Sequence, residues 1–378
     1  MMLDFLKSSR GHSATNRMTT VADQKSQKPQ FTSLKVTDVR RETADCVSVA
    51  LDAPDSFRYL PGQYITFKQE VNGEELRRSY SLCSSPLESE LRVAIKQIEG
   101  GRFSTWANNE LSAGMSLDTM PPMGNFVAET EPSQAKHYVC FAAGSGITPM
   151  MSILKTVLGR EPESRVTLFY GNRSAGTIIF KAELEDLKDA HIGRLEVHHV
   201  LSREDQGSDL LYGRMDRERL DAMLNHFEDV ASADDFYLCG PESMINDARE
   251  ALQAQGVAES AIHFELFTAS TAAGDAGAAA SSATSTGQHQ ITVILDDEET
   301  HFTQDGGTSI LDAAIKAGAD VPYACKGAVC CTCRAKVMEG DAELKMNYSL
   351  TDGEVEDGFI LTCQAYPTSE KVVVSFDE

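Results

Sequence analysis

The sequence predicts a multidomain chain: an antiparallel β-barrel, then an α/β domain with a parallel sheet, then a small α+β domain. Three observations carry this. At 378 residues the chain exceeds what one hydrophobic core usually supports. Short strand-like runs between turn residues fill its first third, whereas strand-like and helix-like segments alternate in its middle. Residues 268–288, "TASTAAGDAGAAASSATSTGQ", hold almost no bulky side chain with which to build a core. They read as a flexible linker with an end-to-end distance of roughly 25 Å, which lets the flanking domains swing.

Taken in order, residues 1–30 are polar, lack the apolar run of a secretory signal and are expected to form a disordered tail. Met18 is a candidate natural start. Lys7, Arg10 and Arg17 among serines hint at a transit peptide, and Asp4 argues against one. No run approaches the roughly 18 apolar residues that span a bilayer, so a soluble, cytoplasmic protein is expected. Residues 31–132 contain "SLKVTDVRRET", "CVSVALDAP", "QYITFKQEV", "RRSYSLCSS" and "ELRVAIKQIEG", the pattern of a barrel. Residues 133–267 alternate "HYVCFAA", "RVTLFYG", "LEVHHVL", "DFYLCG" and "IHFELF" with helical segments, which implies a parallel sheet with ligands at the carboxyl ends of its strands. Residues 289–378 combine a hairpin ("QITVILDDEETHFTQ"), a helix ("SILDAAIKAGAD") and a closing strand ("KVVVSFDE").

The formal net charge is −23, and residues 289–378 carry 17 acidic against 6 basic side chains. Such a surface repels nucleic acid and anionic membranes; it steers encounter with a basic protein partner, or simply keeps the chain in solution.

Four of nine cysteines lie in "VPYACKGAVCCTCRAKV", residues 321–337. In a reducing compartment dense cysteine signals metal or redox work rather than disulfides. Cys325, Cys330 and Cys333 are spaced C-x4-C-x2-C and Cys363 follows in "LTCQAYP", the plant-type [2Fe-2S] spacing. Four soft thiolates suit two irons, and Gly327 and Ala328 suit a tight loop that aims backbone N–H groups at sulfur. Zinc is the alternative, but structural zinc sites use two C-x2-C-like pairs and here one side offers a single cysteine. Cys331 is not expected to ligate; Cys46, Cys83 and Cys140 read as buried small hydrophobes.

This loop, with "NYSLTDGEVEDGFILTCQAYPTSEKVVVSFD", resembles the reductase subunits of the ring-1,2-epoxidising phenylacetyl-CoA epoxidases, within the ferredoxin–NADP reductase superfamily. The resemblance runs over nearly all of residues 31–378. It implies a FAD-binding barrel, an NAD(P)-binding α/β domain and a β-grasp ferredoxin domain. "PGQY" at 61–64 precedes "RRSYSL", whose Arg78, Ser79, Tyr80 and Ser81 match the family's R-x-Y-S flavin motif. By resemblance Arg78 pairs with the FAD pyrophosphate, as a guanidinium fork can; Tyr80 packs on the flavin and Ser81 lies near its N5. "EGGRFSTW" at 99–106 fits the second phosphate loop, with Gly100 and Gly101 admitting the backbone and Ser104 donating to the pyrophosphate; a hairpin turn is the alternative.

"AAGSGITPMMSIL" ends a strand and opens a helix, so Gly144 and Gly146 form a phosphate-approach turn, with Thr148 near the helix start and Pro149 suited to its first position. "YGNR" at 170–173, ending in Arg173, and "CGPESM" at 239–244 end strands on the same sheet edge. By resemblance Cys239, Gly240 and Pro241 approach the nicotinamide. Ser202 and Arg203 match the groups that NADP-specific relatives turn toward the 2′-phosphate, which favours NADPH; the adjacent Glu204 and Asp205 leave NADH, or a plain solvated turn, open. Glu265 in "HFELF" falls where relatives bring a carboxylate to the flavin, and a lone strand end is the alternative.

The implied circuit takes electrons from NADPH to FAD to the [2Fe-2S] centre and on to a separate di-iron oxygenase component in phenylacetate catabolism, because this chain holds no di-iron helix bundle of its own. Reduction of another oxygenase or of a hybrid-cluster protein, and a ferredoxin-type carrier with inactive flavin domains, are the rival readings.

Overall fold

The computed structural model describes residues 17–20, 30–267 and 288–378. The linker expected at 268–288, save its last residue, and most of the expected tail therefore lie outside the described residues. One part of that tail is a correction. Arg17 is buried against the barrel, its guanidinium donating to the carbonyls of Pro54 (2.8 Å) and Ala53 (2.9 Å), and Met18 bridges Tyr59. Two carbonyls and burial of the arginine stem fix this residue, and neither leaves a hydrophobic signal in the sequence.

The first sheet is antiparallel and built from β1 (Thr32–Thr43), β2 (Cys46–Asp52), β3 (Tyr64–Val71), β4 (Glu74–Ser81), β5 (Leu91–Lys96) and β6 (Ser116–Thr119), in the order β4-β3-β6-β1-β2-β5. A bridge from Leu82 to Val93 joins the two outer strands and closes the barrel. Its interior is packed with Val49, Ile65, Phe67, Leu91 and Val93, all fully buried. Helix α1 (Arg102–Asn109) follows β5 and plugs this core with Phe103, Trp106 and Ala107, an i, i+3, i+4 apolar stripe.

The second sheet is wholly parallel: β7 (His137–Ala143), β8 (Arg165–Asn172), β9 (Leu195–Leu201), β10 (Asp235–Gly240) and β11 (Ile262–Leu266), ordered β11-β10-β7-β8-β9. Residues 138–142 of the central strand are all buried, as a strand covered on both faces must be. Helices α2 (Ile147–Arg160), α3 (Lys181–Ala190), α4 (Arg217–His226) and α5 (Glu242–Ala254) supply that cover. The strand order reverses between β7 and β10, and ligands of such sheets bind outside the carboxyl ends at that switch point.

The third sheet is mixed, ordered β13-β12-β18-β14-β16, from β12 (His289–Leu295), β13 (Glu298–Gln304), β14 (Arg334–Glu339), β16 (Phe359–Leu361) and β18 (Lys371–Ser375). Only β12 and β18 run parallel; helix α6 (Ile310–Lys316) lies across one face, giving the β-grasp arrangement. β15 (Ala342–Leu344) pairs with β17 (Ala365–Pro367) at its edge, and α7 (Asp352–Glu356) is closed by a capping box between Thr351 and Glu354.

Candidate functional site

The cysteine loop is shaped by backbone that side chains rarely adopt. Lys326, Ala328 and Cys331 have φ of 54°, 62° and 49°, and interspersing left-handed residues turns successive N–H groups inward into an anion-binding concavity. The N–H of Gly327 points at Cys325 Sγ (3.3 Å) and that of Cys325 at Cys330 Sγ (3.4 Å). The four expected cysteines interact two by two, Cys325 with Cys330 and Cys333 with Cys363. Among the described residues no three His, Cys, Asp or Glu side chains converge on one metal-sized point. The pairing of the cysteines two by two suits a two-iron centre, in which each iron takes two protein sulfurs. The Cys330 thiol and the loop N–H groups hold the Cys325 thiol below the ordinary cysteine range, which favours its thiolate. Cys331 faces the domain core, and burial pushes its thiol up to about 12. Cys46, Cys83 and Cys140 are buried in the seam between barrel and parallel sheet.

On the barrel, β4 carries Arg78, Ser79, Tyr80 and Ser81. Tyr80 stacks its ring near Phe67 and Phe103, with centroids at 5.9 and 5.6 Å, and stays partly exposed on its other side. Ser79 Oγ pairs with Thr66 Oγ1 at 2.9 Å, and among the described residues Arg78 Nη1 donates to the carbonyl of Arg77 at 2.7 Å and the rest of its fork meets no acceptor. The Gly100–Gly101 turn opens α1, with Gly100 at φ 72°. A cleft of about 280 Å³ lies there, lined by Asn72, Arg102 and Trp106. Ser104 departs from expectation: its hydroxyl donates inward to Gly101 O and accepts from the N–H of Ile98, both at 3.3 Å, which stabilises the turn itself.

The parallel sheet brings its motifs to one edge. Gly144–Gly146 form a 3-10 turn after β7, so α2 begins at Ile147 and Pro149 is its third residue rather than its first. Its missing N–H costs nothing there either, because the first four helical N–H groups lack intrahelical partners. A Cβ on Gly146 would overlap the carbonyl of Cys239, so only glycine lets the turn lie against β10 at the switch point. Tyr170 donates to Gly144 O (3.0 Å) and Thr148 to Ser145 O (3.0 Å), fixing the turn from both sides. Gly240 and Pro241 end β10 beside it and lead into α5.

Arg173 and Arg203 are exposed at the ends of β8 and β9, held side by side because Arg203 N–H bonds Arg173 O (2.9 Å) and Ser202 N–H bonds Asn172 O (2.9 Å). Neither guanidinium meets a carboxylate among the described residues. The Glu204 carboxylate accepts from the N–H of Ala175 at 2.8 Å.

Parallel pairing sets Glu265 of β11 beside Cys239 of β10, and Ser81 reaches across from the barrel to donate to Glu265 Oε2 at 3.0 Å. All three expected reaction-site residues thus meet at the junction of barrel and sheet. Burial raises the Glu265 carboxyl to about 8, partly offset by the Ser81 hydrogen bond, and burial also pushes the Cys239 thiol up.

Two residues of the site were not singled out by their chemistry in the sequence. Tyr64, the last of "PGQY", lies opposite Ser81 in the β3–β4 ladder; its hydroxyl meets Thr332 Oγ1 (3.3 Å) and its ring packs with Ala324 and Cys330. Arg77 of β4 lies on the same face as Ser81, opposite to Arg78, and binds Asp320 and Val321 of the third domain.

Comparison with known proteins agrees with this division. Residues 33–127 match the family described as oxidoreductase FAD-binding domain, residues 141–250 oxidoreductase NAD-binding domain, and residues 293–368 2Fe-2S iron-sulfur cluster binding domain. The chain is 42% identical over 352 residues to one of the subunits of 1,2-phenylacetyl-CoA epoxidase from Escherichia coli (strain K12), covering 92% of this chain and 98% of that one. It is 31% identical to the ferredoxin reductase component of 3-ketosteroid-9-alpha-monooxygenase from Rhodococcus rhodochrous, over 91% and 96% of the two chains. Among solved structures, phthalate dioxygenase reductase shares the fold at a TM-score of 0.54 and 24% identity, covering 92% of this chain and 98% of its own. No helix among the described residues is long and apolar enough to cross a membrane.

Proposed function

The chain belongs to the family of 1,2-phenylacetyl-CoA epoxidase reductase subunits, with FAD-binding, NAD-binding and [2Fe-2S] domains in that order, and on that premise we propose that it passes electrons from NADPH to a di-iron oxygenase component acting on phenylacetyl-CoA. It is an oxidoreductase of the electron-transfer kind. One observation carries the reading: the paired cysteines sit in a loop packed on Tyr64, the cross-strand neighbour of Ser81 in the flavin motif. When bound, the nicotinamide supplies a hydride, the flavin divides the electron pair, and the cluster carries electrons singly.

The chain's own residues bind, orient and shield. Arg78 offers its open fork to the FAD pyrophosphate, and Gly100 and Gly101 admit the phosphate backbone above α1. Tyr80, backed by Phe67 and Phe103, gives the isoalloxazine an aromatic wall. Ser81, Glu265 and Cys239 line the place where nicotinamide and flavin meet, and desolvation there favours the protonated form of the half-buried Glu265 carboxyl beside Ser81. Gly144, Gly146 and Thr148, with Gly240 and Pro241, shape the dinucleotide cleft at the switch point. Arg173 and Arg203 supply the positive charge, and Ser202 a hydroxyl donor, that suit a 2′-phosphate, and the Glu204 carboxylate accepts from the N–H of Ala175 rather than pairing with either arginine. Cys325, Cys330, Cys333 and Cys363 would hold the two irons.

Anaerobic titration with NADPH tests the reading: flavin and iron–sulfur absorbance should bleach together, and electrons should then pass to a purified di-iron epoxidase component faster than to a ketosteroid oxygenase, in keeping with 42% against 31% identity. Arg203→Ala should raise KM for NADPH about tenfold or more, the worth of one charge-assisted phosphate contact, and leave KM for NADH nearly unchanged. Equal effects on both nucleotides would overturn the assignment of NADPH.

A further inference from the structure

The barrel and the ferredoxin domain meet at a small interface centred on one buried cation. Arg77 projects from β4 with its guanidinium donating to Glu75 (2.9 Å) on its own strand, and to Asp320 (3.0 Å) and the carbonyl of Val321 (3.3 Å) on the ferredoxin domain. Its planar head lies between two aromatic rings, 5.2 Å from the centroid of Phe31 on the barrel and 4.4 Å from that of Tyr323, two residues before Cys325. It is 7% exposed, and among the described residues no other buried charge joins these two domains.

What this cation holds in place is the cysteine loop. Tyr64, Met123, Ala324, Cys325 and Cys330 form one apolar contact, while the remaining polar ties are weaker. Tyr64 to Thr332 is long at 3.3 Å, and Asn125 to Ser349 (3.1 Å) and Glu354 (2.9 Å) is exposed. Residues directly opposite in an antiparallel pair share a face, so Tyr64 and Ser81 lie on one side of the β3–β4 ladder. Tyr64 thus touches the cysteine loop on the face of the β3–β4 ladder that also carries Ser81 and Arg77, the far side from Arg78 and Tyr80.

We propose that Arg77 is a positioning residue that keeps the cysteine loop docked on the barrel, and that electrons cross from flavin to cluster in this docked arrangement; the inference rests on the function proposed above. Each crossing moves one electron from reduced flavin to oxidised cluster, with no bond made or broken and NADPH as the source. Electron transfer falls steeply with separation, so a loosened interface slows this step alone. The planar fork matters: a lysine at 77 would keep the charge but could not satisfy Glu75, Asp320 and Val321 together.

The test is stopped-flow reduction of the cofactor-loaded full chain by NADPH, with small-angle scattering on the same samples. Arg77→Ala is expected to leave flavin reduction within twofold of wild type, to slow cluster bleaching at least tenfold, and to increase the radius of gyration; Arg77→Lys should fall between. Should Arg77→Ala not retain flavin, the double variant Asp320→Asn with Tyr323→Leu removes the same tie from the ferredoxin side and is expected to slow cluster bleaching at least threefold. Cluster bleaching within twofold of wild type in whichever of these variants keeps both cofactors overturns the proposal, whatever the scattering shows. A wild-type chain whose flavin NADPH does not reduce would instead overturn the function it rests on.

Discussion

The surroundings of Glu265 disfavour its charged form. Burial raises the carboxyl from 4.5 to about 8, so the folded state binds its proton more tightly than the unfolded chain does. The sign follows: its stabilising contribution is complete below pH 4.5 and is lost as pH rises toward 8. Glu265→Gln keeps a hydrogen-bonding partner for Ser81 and abolishes the titration. Between pH 5 and 8 the melting temperature of wild type should therefore fall more than that of the variant, and the variant's rate of flavin reduction should lose its inflection near pH 8. Parallel curves for the two proteins would show that the carboxyl does not titrate there. The cysteines divide as sharply. Cys363→Ser breaks the Cys333 pair and should abolish iron binding and the cluster's visible absorbance while NADPH still bleaches the flavin. Cys331→Ala, which removes a core thiol, should leave two irons per chain by metal analysis.

At the scale of elements, legibility tracked whether a signal was local. The C-x4-C-x2-C spacing, the alternating barrel strands and the glycine turn at 144–146 are contiguous, and each could be read without knowing what lies beyond it. Helix α1 had a readable signal as well, since Phe103, Trp106 and Ala107 repeat at helical spacing, but the expectation at 99–106 was a phosphate loop, with a hairpin turn as the alternative. The partnership of Cys239 with Glu265 could not be read at all, because it depends on the register of β10 against β11, and the docking of Arg17 depends on carbonyls 36 residues away. Arg77 and Arg78 make the point within one strand: alternation sends them to opposite faces, and only the tertiary fold decides which face meets phosphate and which meets the ferredoxin domain. The turn before α2 is where one atom decides an element's placement. Gly146→Ala must push its Cβ into the Cys239 carbonyl, an overpacking that costs about 1–3 kcal/mol. Thermal unfolding should show that loss, and flavin reduction by NADPH should fall more than tenfold while FAD content is retained.

Over the whole molecule, two kinds of electrostatic contact serve two electron transfers, and salt separates them. Within the chain, Asp320 is 81% exposed, so its pair with Arg77 alone would be weak and screened; burial of the guanidinium, the Val321 carbonyl and the two aromatic faces do not depend on ionic strength. Between chains the balance reverses. The 17 acidic and 6 basic residues of the ferredoxin domain, in a chain of net charge −23, act on an oncoming basic surface across solvent, where the Debye length contracts from roughly 10 Å at 0.1 M salt to 3 Å at 1 M. Raising sodium chloride from 0.05 to 0.5 M should thus slow electron delivery to the oxygenase component about tenfold or more, within the range over which steering enhances association, and change flavin-to-cluster transfer less than twofold. Stopped-flow traces recorded with and without the acceptor resolve the two steps, and an intramolecular step as salt-sensitive as the intermolecular one would mean that surface charge, not the buried arginine, holds the domains together.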